Sequence, residues 1–460
     1  MQREPGSVSG ASGDGALRSQ RHSPPGVWAI AWPTMTLFAL HAMVGIVDFV
    51  FVASLGTGAV AAVGVAHQMH FLTFALLNSV TAGTTAVVAR EWGRGEREEA
   101  ARATRCSVGL AALFGALLMG AIPFARPLVG LLGVDSEVAD LGSRCLQVLL
   151  LSNVPFAVGM TLSVALRAAG DARMPLVMGL VTNLVNVVGD YALVFGRLGA
   201  PELGAVGSAW ATALAMLVGM LLALWLWLRG RLILPVGLWR RSLTRLLSTR
   251  LLRVGLPSAL EMGAFNVGLL LFMSIVADFG TEAISAYLIG VRLLSLCFIP
   301  GLGFSMAAGT VVGQHLGADE PELAERAGWR GLFAAVAVMS AVGLGIVLLA
   351  RPLASIFGAV GDETVDLTVT FIYILGAAQP LMAVEFVLGG GLRGAGDTRF
   401  PLLAMLVGLF AARLGLAIFI VAPRFGTVTA VWSCLLADYL LKAALLGWRF
   451  ASGRWKAVEV

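Results

Sequence analysis

The sequence repeats itself at a fixed interval over most of its length. Pro33, residues 56–59 and residues 89–93 return 224 positions later as Pro257, residues 280–283 and residues 313–317. Further on, the segment 166–176, Leu-Arg-Ala-Ala-Gly-Asp-Ala-Arg-Met-Pro-Leu, returns at 392–402 as Leu-Arg-Gly-Ala-Gly-Asp-Thr-Arg-Phe-Pro-Leu. A repeat on this scale predicts two half-chains that share one fold.

The composition places those halves in a membrane. Hydrophobic residues make up 58% of the chain and charged residues 13%, with a mean hydropathy of +0.87, which leaves too little polar surface to cover a soluble globule. We predict an all-α polytopic membrane protein with 12 transmembrane helices in two pseudo-symmetric lobes of six. The expected spans are near 27–54, 60–89, 104–122, 145–167, 175–195, 204–228, 254–277, 284–312, 331–350, 367–392, 400–421 and 428–448. Since each copy holds an even number of spans, the copies run parallel, as in transporters whose halves enclose the substrate path.

The rest of the chain divides around these lobes. Residues 1–26 are rich in Ser, Gly and Arg without apolar periodicity and are expected to form a disordered tail. The N-lobe is expected at 27–228, a basic surface-lying linker at 229–253, the C-lobe at 254–450 and a second tail at 451–460. The first apolar run is too long for a signal peptide and is kept as a span.

The basic residues predict the orientation. With both termini inside, 24 Lys and Arg fall on the cytoplasmic side and five on the outside, as the positive-inside rule requires. We therefore expect a multi-pass protein of the cytoplasmic (inner) membrane. The net charge of +5 serves this orientation and contact with anionic lipids, which makes nucleic-acid binding a poor interpretation.

Motifs for enzymes, cofactors and metals are not found. The four cysteines have no paired spacing, and the sequence has no Walker loop, no dinucleotide-binding fingerprint and no HExxH. We expect no cofactor, no metal centre and no enzymatic activity, and any pumping to be driven by an ion gradient.

A few ionisable residues fall inside the predicted spans, where each is costly unless it is paired or functional. The first half has two acids with no intramembrane Lys or Arg, whereas the second half has three acids and three bases. These residues are Asp48 and Asp190 in the first half, and Glu261, Arg292, Glu385, Arg413, Asp438 and Lys442 in the second. Uncompensated negative charge is therefore confined to the first half.

Depth brings part of this set together. Asp48 lies about 12 Å below the outer end of the first span at 1.5 Å per residue. Asp190 lies near the outer end of the fifth span, one turn beyond Asn186, and Thr212 enters the sixth span at a similar depth. Two neighbouring carboxylates in a low dielectric cannot both stay ionised cheaply, so one should hold a proton or the pair should share a cation. Asp48, Asn186, Asp190 and Thr212 are the predicted ion-coupling and substrate site, with Na⁺ possible at the first three.

Other interpretations stay open for several of these residues. Asp48 could reach the outer headgroups, and Asp190 could simply anchor the end of its helix. Arg413 and Asp438 are expected to form a structural ion pair, and Asp438 could also pair with Lys442 four residues later. Glu261 and Glu385 lie nearer the inner face than Arg292 and are secondary candidates for a second cation site. His41 is a further candidate, although a hydrogen-bonded core histidine is the favoured interpretation.

The chain resembles the multidrug and toxic compound extrusion (MATE) family over nearly all of 27–450. The resemblance rests on residues 47–56 of the first span, the Gly-Gln-His-Leu-Gly-Ala segment at 313–318 and the twin loops at 166–176 and 392–402. Asp48 together with Asn186 and Asp190 is similar to the DinF-like branch. The resemblance implies a V-shaped pair of lobes that exports cationic or amphipathic compounds in exchange for H⁺ or Na⁺, with Asp48, Asn186, Asp190 and Thr212 lining the N-lobe chamber. The chain departs from the pattern at Arg90, where the second copy has Gln314.

The functional hypothesis is a cation-coupled exporter that works by alternating access, with lipids and small molecules as its partners. One chain already contains both halves of the pathway, so a functional monomer is expected. The nearest alternative is a flippase for a lipid-linked precursor, which should have an Arg-rich cavity for pyrophosphate. An intramembrane enzyme or a passive channel is also possible.

Overall fold

A computed structural model describes residues 24–237, 244–358 and 361–458, leaving aside the side chains of residues 74 and 75. Most of the predicted N-terminal tail and the middle of the basic linker, with Arg240 and Arg241, lie outside the described residues. The described part contains ten helices long and apolar enough to cross a membrane and two further spans, each a bent pair of helices. No strand occurs in the described ranges, so the all-α prediction with 12 spans is confirmed.

The twelve spans are numbered here in chain order, and the fourth is bent by 47° after Leu151. The N-terminal half consists of α1 Val27–Ala53, α2 Thr57–Gly93, α3 Arg97–Met119, α4 Ser136–Leu151 with Asn153–Ala168, α5 Arg173–Phe195 and α6 Ala205–Leu228. The C-terminal half consists of α7 Arg245–Ala277, α8 Thr281–Gly317, α9 Pro321–Leu348, α10 Asp362–Gly394, α11 Arg399–Phe425 and α12 Val428–Ala451.

Several helices begin earlier than hydropathy predicts. The third span begins at Arg97, the fourth at Ser136 and the seventh at Arg245, each several residues before its apolar stretch. Hydropathy detects only the part of a helix that matches the hydrocarbon layer, whereas backbone hydrogen bonding continues through the interface. The last residues of the expected linker are therefore the first turns of α7, capped by the Thr244 hydroxyl, which accepts from the Leu247 amide at 3.4 Å.

The two halves repeat local structure as well as sequence. Gly56 and Gly280 both precede a long helix with φ of 107° and 103°, a conformation that side-chain-bearing residues rarely adopt. Gly170 and Gly396, in the twin loops, also share a positive φ. The repeat therefore encodes the same sharp connections in each half.

The halves touch at the end of the molecule that carries residues 24–27 and 451–458. A Cβ at Gly93 would collide with the carbonyl of Gln314, and one at Gly317 with the carbonyl of Arg90, so α2 and α8 cross with their backbones in contact. Two further helix pairs connect the halves. Helix α1 packs on α8, where Met35 contacts Gly303, and α7 packs on α2, where Ser79 contacts Gly255.

The C-terminal residues add further contacts at this end of the molecule. Trp455 is fully buried and stacks on Phe450 with ring centroids 4.7 Å apart. Arg90, the residue that departs from the repeat, donates from Nη1 to the Val458 carbonyl at 2.7 Å. The segment expected to be a simple tail thus connects the end of the chain to α2 of the first half.

Candidate functional site

Two acids meet inside the N-terminal half, as expected. Asp190 on α5 is fully buried, and its carboxyl group lies within side-chain bonding range of the carboxyl group of Asp48 on α1. Asn186, one turn earlier on α5, donates its amide to Oδ2 of Asp190 at 3.4 Å. The buried Ser208 hydroxyl of α6 also lies beside Asp190.

This cluster has more acceptors than donors. Oδ1 of Asp48, Oδ1 of Asp190 and Oγ1 of Thr212 are buried and have no hydrogen-bond partner among the described residues. Two carboxyl oxygens that face each other can form a hydrogen bond only if one is protonated, or both can coordinate a cation. The geometry therefore creates a demand for one positive charge or one proton at the acid pair.

Of the four predicted site residues, Thr212 has the weakest connection to the acid pair. No hydrogen bond in the described part of the chain joins it to either acid. Its neighbour Ala211 packs against Gly189, the residue before Asp190, so Thr212 lies on the segment of α6 that covers the acids. Among the described residues no group of three or more His, Cys, Asp or Glu could hold a metal ion.

Three polar residues around the acids were not predicted. His67 on α2 lies within electrostatic range of Asp48, and Ser208 lies beside Asp190. Asn183 is buried one turn before Asn186, and its Nδ2 has no acceptor in the described structure. The spacing of Asn183, Asn186 and Asp190 at i, i+3 and i+7 places them on one helix face and was the available signal.

In the first half, a histidine other than His41 forms the hydrogen bond inside the bundle. His41 is exposed and its imidazole has no hydrogen bond to any described residue, so the expectation of a hydrogen-bonded core histidine is wrong. The histidine that does bond inside the bundle is His70 on α2, whose Nε2 lies 3.0 Å from Oδ1 of Asn153. Its partner lies at the bend of α4, which hydropathy does not locate.

The second half neutralises its acids internally. Asp438 on α12 lies 2.6 Å from Nη2 of Arg413 on α11 and 3.1 Å from Nζ of Lys442. Lys442 also lies 3.3 Å from Oε1 of Glu385 on α10, whose side chain is 24% exposed. Both partners considered for Asp438 are therefore in contact with it, in one chain of four charges that sums to zero.

Glu261 forms a second ion pair in the C-terminal half. Its Oε1 lies 2.9 Å from Nη1 of Arg393, and Nη2 of that arginine donates to the Ser305 hydroxyl at 3.3 Å. Arg292 is exposed and contacts neither Glu261 nor Glu385 in the described structure, as its depth predicted. Glu261 and Glu385 are thus each matched by a base, unlike the acids of the first half.

A local change in helix geometry brings Arg413 next to Asp438, in the chain of four charges described above. Residues Val407–Gly415 of α11 form a π-helix, a wider turn that is frequent at functional positions. Gly408 lies on this stretch, and a Cβ there would collide with Asp438 and Lys442. The guanidinium of Arg413 also lies 5.7 Å from the ring of Phe272, the repeat counterpart of Asp48.

Comparison with protein families gives a match on both halves. The family model described as MatE matches residues 33–192 and 257–419. The chain is 29% identical over 433 residues to the probable multidrug resistance protein NorM of Thermotoga maritima, covering 93% of this chain and 92% of that protein. It is also 27% identical over 412 residues to the multidrug resistance protein NorM of Burkholderia vietnamiensis, covering 88% of each.

Solved structures show the same fold. An outward-facing multidrug resistance MATE transporter of the MOP superfamily superposes with a TM-score of 0.87 at 22% identity, covering 94% of this chain and 97% of that one. A MOP-superfamily transporter from Pyrococcus furiosus superposes with a TM-score of 0.86 at 22% identity, covering 93% and 96%.

Proposed function

Because the chain belongs to the MatE family of multidrug efflux transporters, which are transporters and not enzymes, we propose that it is a secondary active exporter of cationic or amphipathic compounds. Uptake of H⁺ or Na⁺ at Asp48 and Asp190 drives the export by alternating access. Asn186 and Thr212 complete the oxygen-lined chamber. The exporter functions as a monomer in the cytoplasmic (inner) membrane, with both termini in the cytoplasm.

The observation that carries this proposal is the missing donor between the two acids. The Oδ1 atom of each acid is buried without a partner in the described structure. A proton or a sodium ion satisfies both at once, and so does the positively charged group of a cargo molecule. Competition between ion and cargo for one acid pair is the exchange that an antiporter requires.

The contrast between the lobes supports a single coupling site in the N-lobe. Asp438, Glu385 and Glu261 each lie within 3.3 Å of a Lys or Arg nitrogen. An acid that is already paired gains little from a second cation, because the desolvation cost has been met by its partner. The C-lobe therefore serves as the neutral counterpart against which the N-lobe moves.

The tight α2–α8 crossing supports the conformational part of the cycle. The lobes are in backbone contact at the end that carries residues 24–27 and 451–458, and we take this as the state in which the pathway is closed on that side. In the proposed cycle, ion uptake in this state displaces cargo to the outside. The lobes then separate at the α2–α8 crossing, release the ion and reload.

The test is dye efflux from liposomes that contain the purified protein. Ethidium transport is driven by a proton gradient and, separately, by a sodium gradient, for the wild type, Asp48→Asn and Asp190→Asn. We expect transport under one gradient and a loss of at least about 100-fold in each variant, since the charge that binds the ion is removed. Transport that survives in both variants with unchanged ion dependence contradicts the proposal.

Asp140→Asn is the matched control. This change also converts an aspartate to asparagine, but at an exposed ion pair with Arg126 in which both side chains are more than half exposed. Its transport should equal that of the wild type.

A further inference from the structure

Arg167, at the last turn of α4, is a buried charge without a counter-charge. The residue is 6% exposed, and its guanidinium forms no hydrogen bond or ion pair with any described residue. Leaving a buried arginine unpaired is strongly unfavourable, so such residues are normally neutralised or bind a ligand. Among the described groups, His41 on α1, an exposed residue, lies within electrostatic range of Arg167.

The repeat shows what a neutralised version of this site looks like. Arg393 occupies the place of Arg167 in the second copy, and it binds Glu261 at 2.9 Å and Ser305 at 3.3 Å. Since Pro257 corresponds to Pro33, the first-copy residue at the position of Glu261 is Leu37. The first half therefore has the arginine but carries a leucine where the second half has its acid.

The surroundings of Arg167 favour an anionic ligand. His41 lies one turn beyond Leu37 on α1 and adds an imidazole to the same side of the helix. His41 is seven residues from Asp48 and Leu37 is eleven, so about 10 to 16 Å of helix separates these two levels from the acid pair. A molecule with a cationic group at one end and an anionic group at the other can contact both.

We propose that Arg167 and His41 bind the carboxylate or phosphate group of the exported compound. This rests on the proposed function, because the compound must enter the first half for its basic group to reach Asp48 and Asp190. Arg167 donates the charge-assisted hydrogen bonds that Arg393 gives to Glu261 in the second lobe. The site then selects cargo that carries both charges over cargo that carries only a positive one.

The test compares two probes that differ only in the anion. Transport of norfloxacin and of its carboxyl methyl ester is measured with the protein in liposomes. The quantity compared is the ratio of KM for the ester to KM for the acid. We expect Arg167→Leu to lower this ratio about ten-fold, since one charge-assisted interaction with the acid is lost. Arg167→Lys should restore part of the ratio because it keeps the charge.

A second variant leaves the arginine in place. Leu37→Glu introduces the acid that the C-lobe has at this position, and it should lower the ratio as Arg167→Leu does by occupying the guanidinium. Arg173→Leu, a change at an exposed arginine six residues further on, is the matched control and should leave the ratio unchanged. A ratio that stays at the wild-type value in both Arg167→Leu and Leu37→Glu overturns the proposal.

Two further measurements separate the alternatives. Transport in phosphatidylcholine liposomes with and without phosphatidylglycerol tests a lipid phosphate as the anion. If Arg167→Leu removes a dependence on phosphatidylglycerol and leaves the ratio unchanged, the cargo assignment is wrong. Equilibrium binding of norfloxacin to the purified protein requires no ion gradient, so a binding loss in Arg167→Leu supports the anion site even if Asp48→Asn shows the coupling mechanism to be wrong.

Discussion

Individual residues distinguish the two lobes more than their shared fold does. The first half has an acid pair short of donors at Asp48 and Asp190 and an arginine short of acceptors at Arg167. The second half pairs Glu261 with Arg393 and joins Glu385, Lys442, Asp438 and Arg413 in one neutral chain. The two lobes thus share one scaffold but differ in charge pairing, with unpaired charges in the first half and paired charges in the second.

This contrast predicts opposite effects of the same substitution on stability. Asp438→Asn leaves Arg413 buried without its carboxylate and should destabilise the protein by about 3–5 kcal/mol, as when one partner of a buried pair is removed. Asp190→Asn removes an uncompensated acid and should leave the melting temperature unchanged or raise it. Thermal unfolding of both variants in the same detergent makes the comparison, and equal losses would contradict it.

At the scale of elements, α11 is the helix that departs furthest from regular geometry. Its π-helical stretch, Val407–Gly415, carries Arg413 towards α12, and Gly408 permits the close approach of Asp438 and Lys442. The wider turn changes which side chains of α11 face the lobe interior. The hydropathy of the segment is the same for an α-helix and a π-helix, so the sequence pattern contained no sign of it.

Gly408→Ala should therefore be unfavourable although alanine is the better helix former. The added methyl group collides with the carboxylate and the lysine, and overpacking of this kind typically costs about 1–3 kcal/mol. Gly64→Ala is the control, because a Cβ there meets no other atom within 4 Å. A melting temperature that falls only for Gly408→Ala is the expected result, and equal behaviour of the two variants would show that α11 can relax.

At the scale of the whole molecule, the α2–α8 crossing holds the lobes together at the end that carries residues 24–27 and 451–458. Gly93 and Gly317 are related by the repeat and each contacts a backbone carbonyl of the other helix. No larger residue fits at either position while the helices stay in contact. In the proposed transport cycle, this crossing is the contact that opens when the lobes exchange access.

Alanine at both glycines should shift the lobes apart at this end. Spin labels at Glu96 and Glu322, after α2 and at the start of α9, report the separation, and the four native cysteines are buried and free of disulfides. We expect Gly93→Ala with Gly317→Ala to populate a longer distance than the wild type. Gly345→Ala, at a helical glycine with open space around it, should leave the distance distribution unchanged.

The sequence by itself determined the two-lobed fold, the twelve spans and the acidic character of the first half. These follow from the repeat, from hydropathy and from the cost of charge in hydrocarbon, all of which are local or compositional properties. Asp48 and Asp190 could be brought together on depth alone, because one rise per residue applies to every helix.

The tertiary structure alone decided which side chains on different helices meet. The partners of Glu261 and Glu385, the position of His67 beside Asp48, the exposure of His41 and the missing partner of Arg167 all depend on how far each helix is rotated about its axis. That rotation is set by packing between helices and by local features such as the bend of α4 and the π-helix of α11. In a chain that is apolar on nearly every face, periodicity carries little information about rotation, and so these pairings could not be predicted from the sequence.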